Sequence, residues 1–153
     1  MKKFFKYVIS INIHNDFNKK LTLNKNAIKN LCKKVVKNEG CLSADINLIL
    51  TDRKFLNSLK KKYLKMDVFT DVMAFNLGDN KNIDGEVYIS IDDVLENSQL
   101  FSKTFNDEFS RIFIHGILHL LGYDDKTKKQ KNNMTLLEEK YLLLSNISLI
   151  SNI

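Results

Sequence analysis

HGILHLLGYDD, running from His115 to Asp125, is the stretch from which the rest of the chain can be read. It closes a helical pattern that begins near Phe105 and runs to Leu121, and Gly122 stands where that helix must end. An α-helix turns about 100° per residue, so residues four apart project from one face, one turn above the other. His115 and His119 therefore point the same way. Two imidazoles seldom hold a catalytic zinc, which usually takes three protein ligands and keeps one position open. Glycine accepts the left-handed backbone that stops a helix and reverses the chain. Asp125 arrives three residues after that turn as the third ligand, with Asp124 as its rival.

An isolated HxxxH pair is more often two satisfied core histidines than a metal site. Here the chain has only three histidines, and two of them share this register between apolar neighbours that tolerate no unpaired imidazole. The glycine turn and the carboxylate complete a three-ligand set of His115, His119 and Asp125. His14 reads as an ordinary strand-end residue. The pattern HxxxHxxGxxD matches the ligand spacing of zinc proteases, but those enzymes carry a general-base Glu directly after the first His. Gly116 stands there instead, so a metalloprotease is a poor reading.

Outward from this segment, the chain alternates strands and helices. Phe4 to Ile13 and Asp45 to Leu50 read as strands, and a helix between them starts at an Asn24 cap, carries Ile28, Leu31, Val35 and Val36, and ends at Gly40. Asp52 caps a second helix that turns Phe55, Leu56 and Leu59 to the core and leaves through Lys60, Lys61, Lys62 and Lys65. Thr70 to Asn80 and Gly85 to Asp92 read as a hairpin, with Asp92 and Asp93 capping a short helix. After the 105–121 helix and a lysine-rich turn at 126–131, a last helix spans Met134 to Leu144 with Met134, Leu137, Tyr141 and Leu144 on one side. The expected class is α+β, a mixed sheet of about four strands packed against helices.

A chain of 153 residues that is 44% hydrophobic forms one domain, 1–153, with a real core. No leader-like start and no run of 18 apolar residues is present, so the expectation is a soluble cytoplasmic protein without a membrane partner. Cys32 and Cys41 lack metal-type spacing and make no disulfide framework. The net charge of +6 favours an anionic partner. Lys, Asn and Ile are abundant throughout and proline is absent, however, so charge alone does not decide.

HGILHLLGYDD resembles the HGxLHLxGYDH signature of the YbeY family of metal-dependent endoribonucleases. LNSLKKKYLKMDVFTDVMAFN, from Leu56 to Asn76, is similar to the family's LNxxYRxxDxPTDVLSF segment, and GEVYIS, from Gly85 to Ser90, to its GDIxIS strand. The resemblance implies single-strand-specific cleavage of RNA in rRNA maturation, one Zn2+ or other divalent ion, and ribosomal proteins or the small ribosomal subunit as partners. Two departures stand out. Asp125 occupies a ligand position usually held by His, and Leu64 follows Tyr63 where the family has Arg.

Arg111, four residues before His115 on the same face, is a candidate replacement cation beside the scissile phosphate, against an ion pair with Glu138 or Glu139. Lys62 and Lys65 are further substrate-binding candidates. Thr70 and Asp71 match the family's TD pair and serve either substrate contact or strand-start capping. With the family Arg absent, an rRNA-binding assembly factor with little nuclease activity is the alternative function.

Overall fold

The computed structural model describes residues 7–17, 20–64 and 70–151. It is an α+β domain of β1 (Val8–Asn15), β2 (Thr22–Leu23), α1 (Lys25–Asn38), β3 (Ser43–Thr51), α2 (Arg53–Leu64), β4 (Val72–Asn76), β5 (Asn82–Ser90), α3 (Ile91–Leu100), α4 (Phe105–Leu120), α5 (Lys128–Leu142) and β6 (Ile150–Ser151). The main sheet is mixed and four-stranded in the order β1-β3-β5-β4. Strands β1, β3 and β5 run parallel, and β4 is the antiparallel edge, hairpin-linked to β5 with Val72 opposite Ile89.

Alternation along the strands sends Ile11, Ile46, Leu48, Val87 and Ile89 to one face, where α1 and α4 cover them. Helix α2 lies on the opposite face against β5. Ten of the sixteen residues of α4 are buried, including Phe109, Phe113, Ile114 and Ile117. A helix apolar on most sides belongs in the middle of a domain, and α4 touches α1, α3, α5, β4, β5 and β6. Its remaining polar stripe carries Arg111, His115 and His119.

Helix ends follow local chemistry. Asn24 caps α1 by accepting the Ala27 N–H at 3.0 Å, and Asp52 caps α2 by accepting that of Phe55 at 2.7 Å. Gly40, at φ +79°, lets its own N–H reach Lys37 and that of Cys41 reach Val36, a Schellman ending. Four expectations need correction. Leu56 is buried as expected, but Phe55 is 46% exposed, because the core side of α2 is narrow and Phe55 rests at its rim against Tyr88, with ring centroids 6.3 Å apart. Ser90, rather than Asp92 or Asp93, caps α3; Asp92 instead accepts the Arg53 N–H at the start of α2, and Asp93 takes the Arg53 guanidinium. The lysine-rich segment is largely helix, since Thr127 and Gln130 form a capping box that starts α5 at Lys128. Leu144 lies beyond that helix and is 42% exposed. The first strand begins at Val8; residues 4–6 of the expected strand, like Lys65, lie outside the described residues.

The Thr127 cap satisfies an otherwise orphaned N–H of α5, so Thr127→Ala is expected to cost about 1 kcal/mol of stability in urea denaturation. A loss below a few tenths would show that Gln130 alone starts the helix. Cys32 and Cys41 are both buried and unpaired, and burial pushes the Cys32 thiol up to about 12. Cys32 packs as a small apolar group, and the Cys41 thiol donates to the Ser43 and Lys81 carbonyls at 3.1 and 3.3 Å. Among the described residues no helix is long and apolar enough to cross a membrane.

Candidate metal centre and active site

Helix α4 ends as its sequence requires. Gly122 takes φ +98°, its N–H bonds to the His119 carbonyl, and that of Tyr123 reaches back to Leu118. This reversal carries residue 125 back beneath the histidines. His115 Nε2 and His119 Nε2 lie 2.9 Å apart, and Asp125 Oδ2 lies 3.3 Å from the first and 3.6 Å from the second. A tetrahedral ion with ligand bonds of about 2.0 Å sets its ligands about 3.3 Å apart. The three observed edges bracket that spacing, so the donor set fits a small divalent cation such as zinc, and two nitrogens with one carboxylate suit its chemistry. Asp124 turns elsewhere: its Oδ1 accepts the Asp125 N–H at 2.9 Å and its Oδ2 faces Lys126.

Glu138 of α5 orients the site. Its Oε2 lies 3.3 Å from His115 Nδ1, so a proton on Nδ1 donated to Glu138 leaves Nε2 bare toward the ligand cluster. In the metal-free protein, burial disfavours the charged imidazole, but the bond to Glu138 and the charges of Glu138, Asp125 and Asp71 outweigh it, and the His115 pKa is raised. The other Glu138 oxygen is 3.8 Å from the Arg111 guanidinium, which also meets Glu108 at 3.3 Å. Arg111 thus makes an ion pair with Glu138, not Glu139, and still presents a side chain 34% exposed.

That exposed side faces a cleft of about 570 Å³ walled by α3, α4, α5 and the start of β4. His115, Asp125, Arg111, Asp71 and Lys131 line it, and Phe101, 56% exposed, forms part of the wall. Burial raises the Asp71 pKa against the opposing pull of His115, and Asn97 donates to its Oδ2 at 3.3 Å. Burial also raises that of Glu108, which Arg111 offsets in part.

Other sequence candidates lie elsewhere. Thr70 stands beside the cleft rather than in it, in a smaller pocket shared with Asp71, Asp93 and Asn97, and its hydroxyl bonds to the Val72 carbonyl. Lys62 is exposed on α2, over the Tyr63 ring and away from the cleft lining. His14 pairs with Asn47 on the sheet and does not join the ligand cluster. Gly116 faces the sheet, where a Cβ would lie 2.7 Å from Val87 Cγ1, so the position that carries a base in the proteases is filled by strand.

Glu108 was not anticipated from sequence, nor was Glu138 as the partner of His115. Glu138 left a signal: it interrupts the buried stripe of Met134 and Tyr141, and a carboxylate on such a stripe must have a partner.

Comparison with known proteins agrees with this geometry. Residues 12–146 match the family model described as Endoribonuclease YbeY. A relative of that name from Karelsulcia muelleri is 40% identical over 108 residues, 71% of this chain and 77% of the relative. Another, from Amoebophilus asiaticus, is 40% identical over 114 residues, 74% and 78% of the two chains. A solution structure of a Thermotoga maritima protein superposes with a TM-score of 0.60 at 31% identity, covering 87% of each chain. Fold, ligand spacing and sequence converge: the chain belongs to the YbeY endoribonuclease family.

Proposed function

We propose that this protein is a zinc-dependent endoribonuclease that hydrolyses single-stranded RNA during rRNA maturation in the cytoplasm, with the small ribosomal subunit or its proteins as partners. The observation that carries the reading is the cluster of two imidazole nitrogens and one carboxylate oxygen, spaced for one ion, on the wall of a cleft that also holds Arg111. A bound divalent ion supplies Lewis-acid polarisation of a phosphoryl oxygen and a more acidic water.

The chain's own residues do the rest. Glu138 holds the His115 tautomer, and Glu108 with Glu138 fixes the Arg111 guanidinium so that its open side meets a phosphate in the cleft. Asp71 and Lys131 face the same space as candidate substrate contacts, Lys62 on α2 is a candidate for the RNA backbone farther out, and Lys65 is a further candidate on its sequence position alone. A cleft of this volume takes a group the size of a small ligand.

Purified protein loaded with Zn2+ is expected to cut a single-stranded oligoribonucleotide and to spare its duplex. Elemental analysis of protein purified without chelator identifies the ion it carries. Arg111→Ala is expected to slow cleavage about 100-fold, on the scale of losing one charge-stabilising contact at the reacting centre. Intact cleavage together with a lowered melting temperature would assign Arg111 to the ion pairs alone. One observation favours the second reading, an rRNA-binding assembly factor: Leu64, half exposed at the end of α2, offers no charge where the family has Arg. Tight binding of single-stranded RNA without any cleavage is its signature.

A further inference from the structure

On the side of α4 that faces α1, one carboxylate joins three parts of the chain. Glu39, the residue that ends α1, accepts the Tyr123 hydroxyl on Oε1 and the Tyr141 hydroxyl on Oε2, each at 2.5 Å. The Asn38 amide donates to the Tyr141 oxygen at 2.8 Å, so that buried hydroxyl is satisfied as donor and acceptor. Tyr123 is the first residue past the Gly122 reversal and stands two residues before Asp125. Tyr141 lies three residues after Glu138, on the same buried face of α5. The bond to Glu39 raises the Tyr123 pKa; at Tyr141, burial and then the same carboxylate do so. Both hydroxyls therefore stay protonated donors at neutral pH.

We propose that Glu39 is a positioning residue of the metal centre: its single carboxylate clamps the loop that delivers Asp125 and the helix that delivers Glu138. Neither tether is supplied by the metal ligands themselves. The backbone of the loop from Tyr123 to Lys126 is held at its two ends, by the Tyr123 N–H on the Leu118 carbonyl and the Lys126 N–H on the Gln130 side chain, while between them Asp124 bonds within the loop and faces Lys126. Without Glu39, the Tyr123 hydroxyl loses its carboxylate acceptor, and Asp125 loses the restraint that holds its Oδ2 within 3.6 Å of both imidazoles. A charged acceptor suits this role because both oxygens take short, strong bonds at once, whereas an amide offers one.

The inference rests on the reading of His115, His119 and Asp125 as ligands, and its test separates the two. Co2+ is titrated into the full chain and followed by its visible d–d absorption, and hydrogen exchange of residues 122–127 is measured on the metal-free protein. Glu39→Ala and Tyr123→Phe are each expected to weaken Co2+ binding roughly 10- to 100-fold, the usual scale for residues that orient metal ligands. Both should alter the absorption band and speed exchange in 122–127 while leaving β3 and β5 protected. The double variant should be no worse than Glu39→Ala alone, because Tyr123→Phe removes one of the two contacts that Glu39→Ala already removes. Glu39→Gln, keeping one acceptor, should recover part of the affinity.

Ile28→Ala, a cavity near the other end of the same helix, is the control for loosened folding and should bind Co2+ as the parent does. The clamp is overturned if Ile28→Ala weakens binding as much as Glu39→Ala, if the two single effects simply add, or if exchange in 122–127 is unchanged. Absence of a saturable Co2+ spectrum from the parent protein sinks the metal reading, and the exchange data then decide the clamp by themselves.

Discussion

His115→Ala is expected to abolish measurable RNA cleavage, lowering the rate by at least about 10³-fold, because a catalytic metal contributes several kcal/mol of transition-state stabilisation. His115 is the ligand whose loss leaves least behind. Its Nε2 sits at the short edges of the cluster, 2.9 Å from His119 and 3.3 Å from Asp125, while the two survivors are 3.6 Å apart. Two ligands seldom retain a catalytic zinc. Losing His115 also strips Glu138 of its imidazole partner, with its side chain 8% exposed and only the 3.8 Å contact to Arg111 remaining. A buried carboxylate with one partner removed is destabilising, so the variant should melt lower even without metal. Assays of parent and variant side by side on single-stranded RNA, with zinc content by elemental analysis, measure both effects. Equal residual cleavage by the two preparations would point to a contaminating nuclease and favour the assembly-factor reading.

Gly116→Glu should fail to fold. This substitution restores the base-bearing position of the zinc proteases, and chemistry alone would make it a tempting route to peptidase activity. Packing forbids it. A Cβ at position 116 would meet Val87 Cγ1 at 2.7 Å and Val72 Cγ2 at 3.2 Å, both on strands beneath α4. Even Gly116→Ala is expected to lose about 1–3 kcal/mol to overpacking, partly offset by the roughly 1 kcal/mol that Ala gains over Gly in a helix. Glutamate adds a carboxylate buried without a partner, several kcal/mol more, which exceeds the stability of many domains of this size. Urea unfolding of the alanine variant and soluble expression of the glutamate variant are the measurements. An alanine variant more stable than its parent would show that α4 can lift off the sheet at no cost.

What could be read from the sequence divides along local and non-local lines. The convergence of His115, His119 and Asp125, the glycine reversal and the caps at Asn24 and Asp52 were legible because helical spacing and left-handed glycine act within a few residues. The hairpin was legible for the same reason, though its register, Val72 opposite Ile89, was not. The parallel pairing of β1 with β3 and β3 with β5 joins strands separated by whole helices, and no local pattern encodes it. Glu138 reaches His115 only once α5 docks on α4. Phe55 and Asp92 misled because each sits at an apolar or capping position by periodicity, while the neighbours that decide its fate, Tyr88 and Arg53, come from other elements. Asp125 was favoured over Asp124 by spacing, and the side-chain turn of Asp124 toward Lys126 became visible only in three dimensions.

All three proposed metal ligands lie in the one segment 115–125, joined by a helix and its reversal, while the walls of the cleft come from distant parts of the chain. An unfolded chain keeps those three groups close neighbours, so it retains some affinity for the ion. Thermal stabilisation by an ion depends on how much more tightly the native state binds than the unfolded one. Zinc should therefore raise the melting temperature of this protein by less than its affinity for the native state implies.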